Sequence, residues 1–253
     1  MMKMRASSLP GLMDCAYRFY WENVMGLSSP SSTKARVGTA VHAGAAVFDR
    51  GASSSDAADA AHAAFMDPQG DVEKIGQLDI NAASAVARRT TIGYATTFGR
   101  RAYSHIEVEV PECMVSTVHG DILLTGHVDR VLNGQVHDLK TGEQRVTKDG
   151  RVHVGADHLQ MGVYAVMARA ELGDDSISPH VTITGGSTSH YTWGEITIAN
   201  AVQVLLGDAQ NEGIIEIAAK MMKHGVFPPN PKSLMCSAKY CAAHSQGKCR
   251  FHG

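Results

Sequence analysis

The sequence predicts an α/β fold, and three observations carry that prediction. The first hundred residues read as helices, without strand alternation. Strand patterns begin at about residue 104, with the alternation His105-Ile-Glu-Val-Glu-Val110. Asn133-Gly134 then sits between two apolar runs and marks a tight hairpin, because both central residues of such a turn need positive φ. Helices, then a sheet, then alternating elements fit one α/β or α+β domain. A chain of 253 residues can bury one substantial core.

The elements follow in order. Leu12, Cys15 and Phe19 recur at helical spacing after Ser7-Ser8-Leu9-Pro10, which predicts a short amphipathic helix with Ser8 as its cap. Ser28–Thr33 reads as a loop, and the small apolar run Val37–Phe48 as a closely packed helix. The Ala-rich stretch 51–102 predicts two or three helices, with loops at Gly51–Ser55 and Asp67–Gly70. Strands are expected at His105–Val110, Asp121–Leu132 and Gln135–Lys140. A helix over His158–Leu172, strands at His180–Thr184 and Tyr191–Ile198, and a long helix over Asn200–His224 complete the core. The tail after Phe227 is rich in proline, then in cysteine. The expected organisation is one domain in three parts: a mainly helical 1–103, a sheet core 104–225 and a tail 226–253.

Composition narrows the classes of function. A hydrophobic content of 44% excludes global disorder. No run of about 18 apolar residues is present to span a membrane. Met1–Pro10 lacks the apolar stretch of a secretory signal, so a cytoplasmic setting in a bacterial or phage-infected cell is expected. With 23 Lys and Arg against 25 Asp and Glu, bulk charge cannot drive nucleic-acid binding, and a local patch must do so. Arg88, Arg89, Arg100 and Arg101, with Lys232, Lys239, Lys248 and Arg250, are the candidates for a strand path.

The hairpin carries the sharpest chemical signal. Pairing outward from Asn133-Gly134 sets Leu132 against Gln135, Val131 against Val136, Arg130 against His137 and Asp129 against Asp138. Opposed residues share a face, with Cβ atoms about 4.5–5.5 Å apart. Two carboxylates so placed repel unless a cation offsets them, and hard oxygen ligands suit Mg²⁺ or Mn²⁺. Lys140, two residues beyond Asp138, lies on the same face. Two carboxylates beside one ammonium suit metal-assisted hydrolysis of a phosphodiester. An exposed hairpin whose Asp138 merely pairs with Lys140 or Arg130 is the bland alternative.

Other residues gain weight only together. Gln160 and Tyr164 share one face of the helix after the hairpin. His42 lies among small apolar residues, and Glu107 and Glu109 share a strand face. His127, His137 and His158 flank the hairpin site. Five cysteines, an odd number in a chain without an export signal, favour metal ligation or burial over a disulfide framework. Cys236, Cys241 and Cys249 supply three thiolates, and a tetrahedral metal or a cluster needs a fourth ligand. Cys15 is one candidate, and His244, which would make a local zinc site, is the other. Cys113 reads as a buried thiol.

Taken in order, these residues resemble the RecB-type nucleases of the PD-(D/E)XK superfamily, in their iron–sulfur branch, which includes CRISPR-associated RecB-like and phage-encoded exonucleases. The matching stretches are Cys15-Ala-Tyr-Arg-Phe-Tyr20, Gly38-Thr-Ala-Val-His42, Gly126-His-Val-Asp129, Asp138-Leu-Lys-Thr-Gly142, Gln160-Met-Gly-Val-Tyr164 and Pro229-Asn-Pro231 with Cys236, Cys241 and Cys249. The resemblance implies a restriction-endonuclease-like core, a central mixed sheet flanked by helices. It further implies a Mg²⁺ or Mn²⁺ ion held by His42, Asp129, Asp138 and the carbonyl of Leu139. Lys140 would be the catalytic lysine, Glu107 in preference to Glu109 the upstream acid, and Gln160 and Tyr164 would hold the DNA strand. Cys15, Cys236, Cys241 and Cys249 would carry a 4Fe–4S cluster, with Zn²⁺ as the alternative. The activity implied is that of a DNA exonuclease in recombination, repair or phage DNA processing. A cluster-stabilised DNA-binding module without catalysis is the competing function. No GxxxxGK motif ending in Ser or Thr occurs, so unwinding would fall to a partner helicase or recombination protein.

Overall fold

The computed structural model describes residues 2–28, 31–68, 72, 76–155, 157–172 and 177–251. The predicted loop residues 69–70 therefore lie outside the described residues. The fold is α/β, a mixed central sheet flanked by helices on both faces, as the sequence predicts.

Strand β3, Ile122–Leu132, organises the sheet. One edge pairs antiparallel with β2, His105–Val115. The other edge is shared by two strands. Ile122–Thr125 pair in parallel with β1, Met2–Arg5, a strand the sequence analysis did not anticipate. Arg130–Leu132 pair with β4, Gln135–Gly142. Between these partners lies Gly126-His-Val-Asp129, where β3 leaves one neighbour and takes up the next. β4 then pairs in parallel with β5, Val181–Ser187, and β5 antiparallel with β6, Trp193–Ile198.

The turn chemistry fixes the hairpin register. Asn133 and Gly134 both take positive φ, 51° and 71°. The pairs Arg130–His137, Val131–Val136 and Leu132–Gln135 form as expected, but the ladder ends there. The anticipated fourth pair, Asp129 with Asp138, is not part of it, because Asp129 has turned its carboxylate to the Leu139 amide.

Helices α3 (Thr33–Asp49), α4 (Ser54–Met66) and α5 (Gln77–Phe98) cover one face, burying Val37, Val41, Phe65 and Tyr94 with Leu139 and Trp193 from the sheet. Ser32 caps α3 through the Ala35 amide, and Ser53 with Asp56 forms a capping box on α4. The other face packs Leu124, Val128, Val136 and Ile183 against α1 (Leu9–Asp14) and α6 (Asp157–Leu172). Among the described residues no helix is long and apolar enough to cross a membrane.

Two predicted helices are broken. The first stops at Cys15, whose backbone is extended at φ −151°, ψ 97°, and resumes as α2, Ala16–Phe19, followed by a π-helical turn over Tyr20–Val24. Ser8 does not cap it, since its hydroxyl donates to the Arg5 carbonyl at 2.7 Å. The long helix over 200–224 is two, α7 (Ala201–Leu206) and α8 (Ile214–His224). Their connection doubles back so tightly that a Cβ on Gly213 would meet the Leu206 carbonyl carbon at 2.2 Å. A last short helix, α9, spans Ala242–Ser245 in the tail.

Candidate active site

The partner change along β3 leaves Asp129 without a paired strand residue, and its carboxylate becomes the hub of a site. Oδ2 accepts the Leu139 amide at 2.7 Å and lies 3.4 Å from Nδ1 of His42, on α3. Across the β2 edge, Glu107 falls between the pairs Ile106–Arg130 and Val108–Val128, which sets it beside Asp129. Glu107 has φ 54°, a left-handed conformation that costs a side-chain-bearing residue about 1–3 kcal/mol and persists only where the surroundings impose it. One ligand atom each from His42, Glu107 and Asp129 lie within 4.8 Å of one another. Asp138 lies outside that triad, its carboxylate held by the Lys140 ammonium at 2.7 Å. The side chain of Glu109, the alternative acid, is outside the described residues.

The electrostatics of the group favour a cation. Burial alone would raise the Asp129 pKa, but His42, Arg130 and the Leu139 amide hold it well below the usual carboxylate range. For Glu107, burial and then the charge of Asp129 push the pKa up. Burial also raises Asp138, against the pull of Lys140 and with the help of Asp129. Burial disfavours a charged His42, yet Asp129 overrides it and raises that pKa. One oxygen of Glu107, Oε1, is buried with no hydrogen-bond partner, while Oε2 is 3.2 Å from Nδ1 of His127. An orphaned carboxylate oxygen at the centre of a histidine and two acids fits a hard divalent cation.

Gln160 and Tyr164, one turn apart on α6, join side chains, with Gln160 Nε2 donating to the Tyr164 hydroxyl at 2.6 Å. The Tyr164 ring lies over Gly126, where a Cβ would sit 2.8 Å from its Cε1. The glycine of the Gly126–Asp129 stretch thus lets α6 approach the sheet at the partner change.

A buttress behind the site has no signature in the sequence. Arg130, the next residue on β3, reaches the same helix as Asp129, its Nε pairing with Oδ2 of Asp49 on α3. The Tyr94 hydroxyl donates to the same carboxylate at 2.9 Å. Both charged side chains are essentially inaccessible to solvent, so the pair locks α3, α5 and β3 together.

The tail closes on the first helix. Asn230 donates its amide to Cys15 Sγ at 3.4 Å and its side chain to the Asp14 carbonyl at 2.9 Å, and Ser233 Oγ donates to Asp14 at 2.6 Å. Cys15, Cys236, Cys241 and Cys249 line one small cavity together with Arg18, and His244 is not among its walls. All are free thiols. Burial, then the neighbouring cysteines, raise the Cys236 pKa. No three of these sulfurs lie mutually within 4.8 Å among the described residues. A tetrahedral zinc with bonds of about 2.3 Å needs its sulfurs roughly 3.8 Å apart. Four thiols around one cavity are also the donor set of a cubane, which takes one thiolate per iron. Arg18, also in the wall, pairs its guanidinium with Asp14 at 3.9 Å and Glu22 at 3.5 Å. Cys113 stands apart on β2, half-buried.

No curated protein matches the chain. The crystal structure of SSO0001 aligns with it at 13% identity and a TM-score of 0.43, over 99% of this chain and 87% of that one. The model of the PD-(D/E)XK nuclease superfamily matches residues 4–246. That match covers nearly the whole chain, and the chain belongs to the PD-(D/E)XK nuclease superfamily.

Proposed function

We infer that this nuclease is a RecB-type DNA exonuclease of the iron–sulfur branch that works with Mg²⁺ or Mn²⁺. The observation that carries the reading is the convergence of His42, Glu107 and Asp129 within 4.8 Å, with a buried Glu107 oxygen left unpaired. These three, joined by Asp138 and the Leu139 carbonyl, would hold the divalent ion. When bound, that ion supplies Lewis acidity and offsets the charge of the scissile phosphate.

The remaining work belongs to the side chains. Lys140, anchored by Asp138, holds the attacking water in line and offsets the negative charge that develops as the water oxygen bonds to phosphorus. The attacking water gives up its proton to solvent as the new P–O bond forms, and the departing oxygen takes a proton from solvent as the old P–O bond breaks. Tyr164 and Gln160 fix the strand beside the metal ligands, their joined side chains presenting one rigid polar edge. The four cysteines carry a 4Fe–4S cluster that ties the first helix to the tail and so keeps β1 beside the Gly126–Asp129 stretch. The chain acts as one nuclease domain, and a helicase or recombination partner supplies opened DNA ends.

The test is digestion by anaerobically purified protein of end-labelled linear single-stranded and duplex DNA, with circular DNA and RNA alongside. Metal-dependent loss from linear DNA alone, absent with EDTA and in Lys140→Ala, is the expected result. Cleavage of circles would make it an endonuclease. Inactivity of a folded, cluster-loaded protein would leave a DNA-binding module.

A further inference from the structure

A cavity of about 400 Å³, with both polar and apolar walls, adjoins the elements that carry the metal ligands but contains none of those ligands. Its walls include Thr33 and Lys34 from the start of α3, Thr141 from β4, and Ser189 and Tyr191 from the turn between β5 and β6. Two elements connect it to the site. Thr141 directly follows Lys140 on β4. Val37, also in the wall, precedes His42 on α3 by five residues, about 7.5 Å along a helix axis. That separation is on the scale of one nucleotide step.

The chemistry of the walls is mixed in a specific way. Lys34 is exposed and pairs with Glu143 at 2.9 Å, a contact worth little in water. Its ammonium sits at the start of a 17-residue helix, where the amide dipoles add positive potential. Tyr191 supplies an aromatic ring backed by the Arg89 guanidinium, 5.1 Å from the ring centroid. Its backbone is in the left-handed region, at φ 53°, in a turn tied to β4 by the Thr188 amide on the Gly142 carbonyl. The Tyr191 carbonyl presses so close to α5 that a Cβ on Gly93 would meet it at 2.4 Å, so the strained turn is rigidly seated. A cation, clustered hydroxyls and a fixed aromatic face together match a phosphate, a sugar and a base.

We propose that this cavity is a substrate subsite, which holds the nucleotide next to the scissile phosphate by stacking its base on Tyr191 and pairing its phosphate with Lys34. The proposal rests on the chain's acting on single-stranded DNA. Entry of the phosphate draws Lys34 from Glu143, so Glu143 is a built-in competitor that weakens binding. The reading also gives Arg89 a task, as the support for the Tyr191 ring.

The experiment is steady-state cleavage of a labelled single-stranded oligonucleotide with Mn²⁺ across a series of salt concentrations. Tyr191→Ala should raise KM about tenfold with kcat little changed, as loss of one stacked base predicts. Tyr191→Phe should behave like the native chain. Lys34→Ala, at an exposed position that cannot unfold the protein, should raise KM and reduce the salt slope by about 0.7, the effect of one lost phosphate contact. Glu143→Gln should lower KM. Native KM and salt slope in both Tyr191→Ala and Lys34→Ala would overturn the subsite. If the native chain cleaves nothing, the nuclease reading fails by itself and fluorescence anisotropy of the same strand decides. Weaker binding by the two variants would then support the subsite, and equal binding would overturn it.

Discussion

The Asp129 carboxylate accepts the backbone amide of Leu139 at 2.7 Å, just where the β3–β4 ladder ends. A side chain thus does the work of a missing ladder bond, and the same contact aims the carboxylate at His42. Asp129→Ala should leave the Leu139 amide buried and unsatisfied, at a cost of about 1–3 kcal/mol. Asp129→Asn keeps an acceptor oxygen and should lose much less. Urea unfolding of both variants checks this, and equal losses would argue that the contact contributes nothing to the fold.

The Arg130–Asp49 pair should be among the costliest contacts to break. Removing one partner strands a buried charge, so Asp49→Ala should destabilise the chain by about 3–5 kcal/mol. The double variant Arg130→Met with Asp49→Leu should recover much of that loss. Thermal unfolding of the three proteins tests the pair, and a mild loss in Asp49→Ala would show that water reaches Arg130.

Acid sensitivity should trace in part to Glu195. Burial works against its charge, yet the His137 ring 3.8 Å away and the Arg101 guanidinium, which donates to it at 2.6 Å, lower its pKa to about 2. A depressed carboxylate stabilises the fold above its unfolded pKa, near 4.5, and that stability is lost as pH falls toward 2. Allowing for its partial exposure, the contribution at neutral pH is about 1–2 kcal/mol. Glu195→Gln should therefore lower neutral stability and flatten the decline between those pH values. An unchanged acid limb in the variant would assign the decline to other groups.

Cys15 should control the iron content although it lies far in sequence from the other three cysteines. Anaerobically purified native chain should contain about four iron and four inorganic sulfide per chain, as a cubane requires. Cys15→Ser should lose most of both, while His244→Ala retains them. Zinc in place of iron, or iron retained in Cys15→Ser, would contradict the cluster.

Much of this was legible in the sequence, for local reasons. Asn133-Gly134 dictates its turn, and the turn dictates three cross-strand pairs. The alternation around His105 and the small apolar run before Phe48 likewise announce a strand and a helix. What was hidden depends on long-range geometry. Glu107 and Glu109 cannot be told apart by period, since both share a strand face, and only the left-handed backbone at Glu107 turns it to Asp129. The partner change on β3 needs β1, and a four-residue strand of Met-Lys-Met-Arg gives no pattern to detect. Asp49 and Arg130 are 81 residues apart and meet only once the helical layer packs. Gly126 did carry a usable sign, because a glycine inside a strand often marks a close approach, here of Tyr164.

If Asp129, with His42 and Glu107, holds the divalent cation, its charge must set the affinity for that ion. Titration of Mn²⁺ into the native chain and into folded Asp129→Asn, followed by electron paramagnetic resonance of the free ion, tests it most directly. One tight Mn²⁺ site is expected in the native chain, weakened at least about a hundredfold in the variant. Equal Mn²⁺ binding by the two proteins would contradict it.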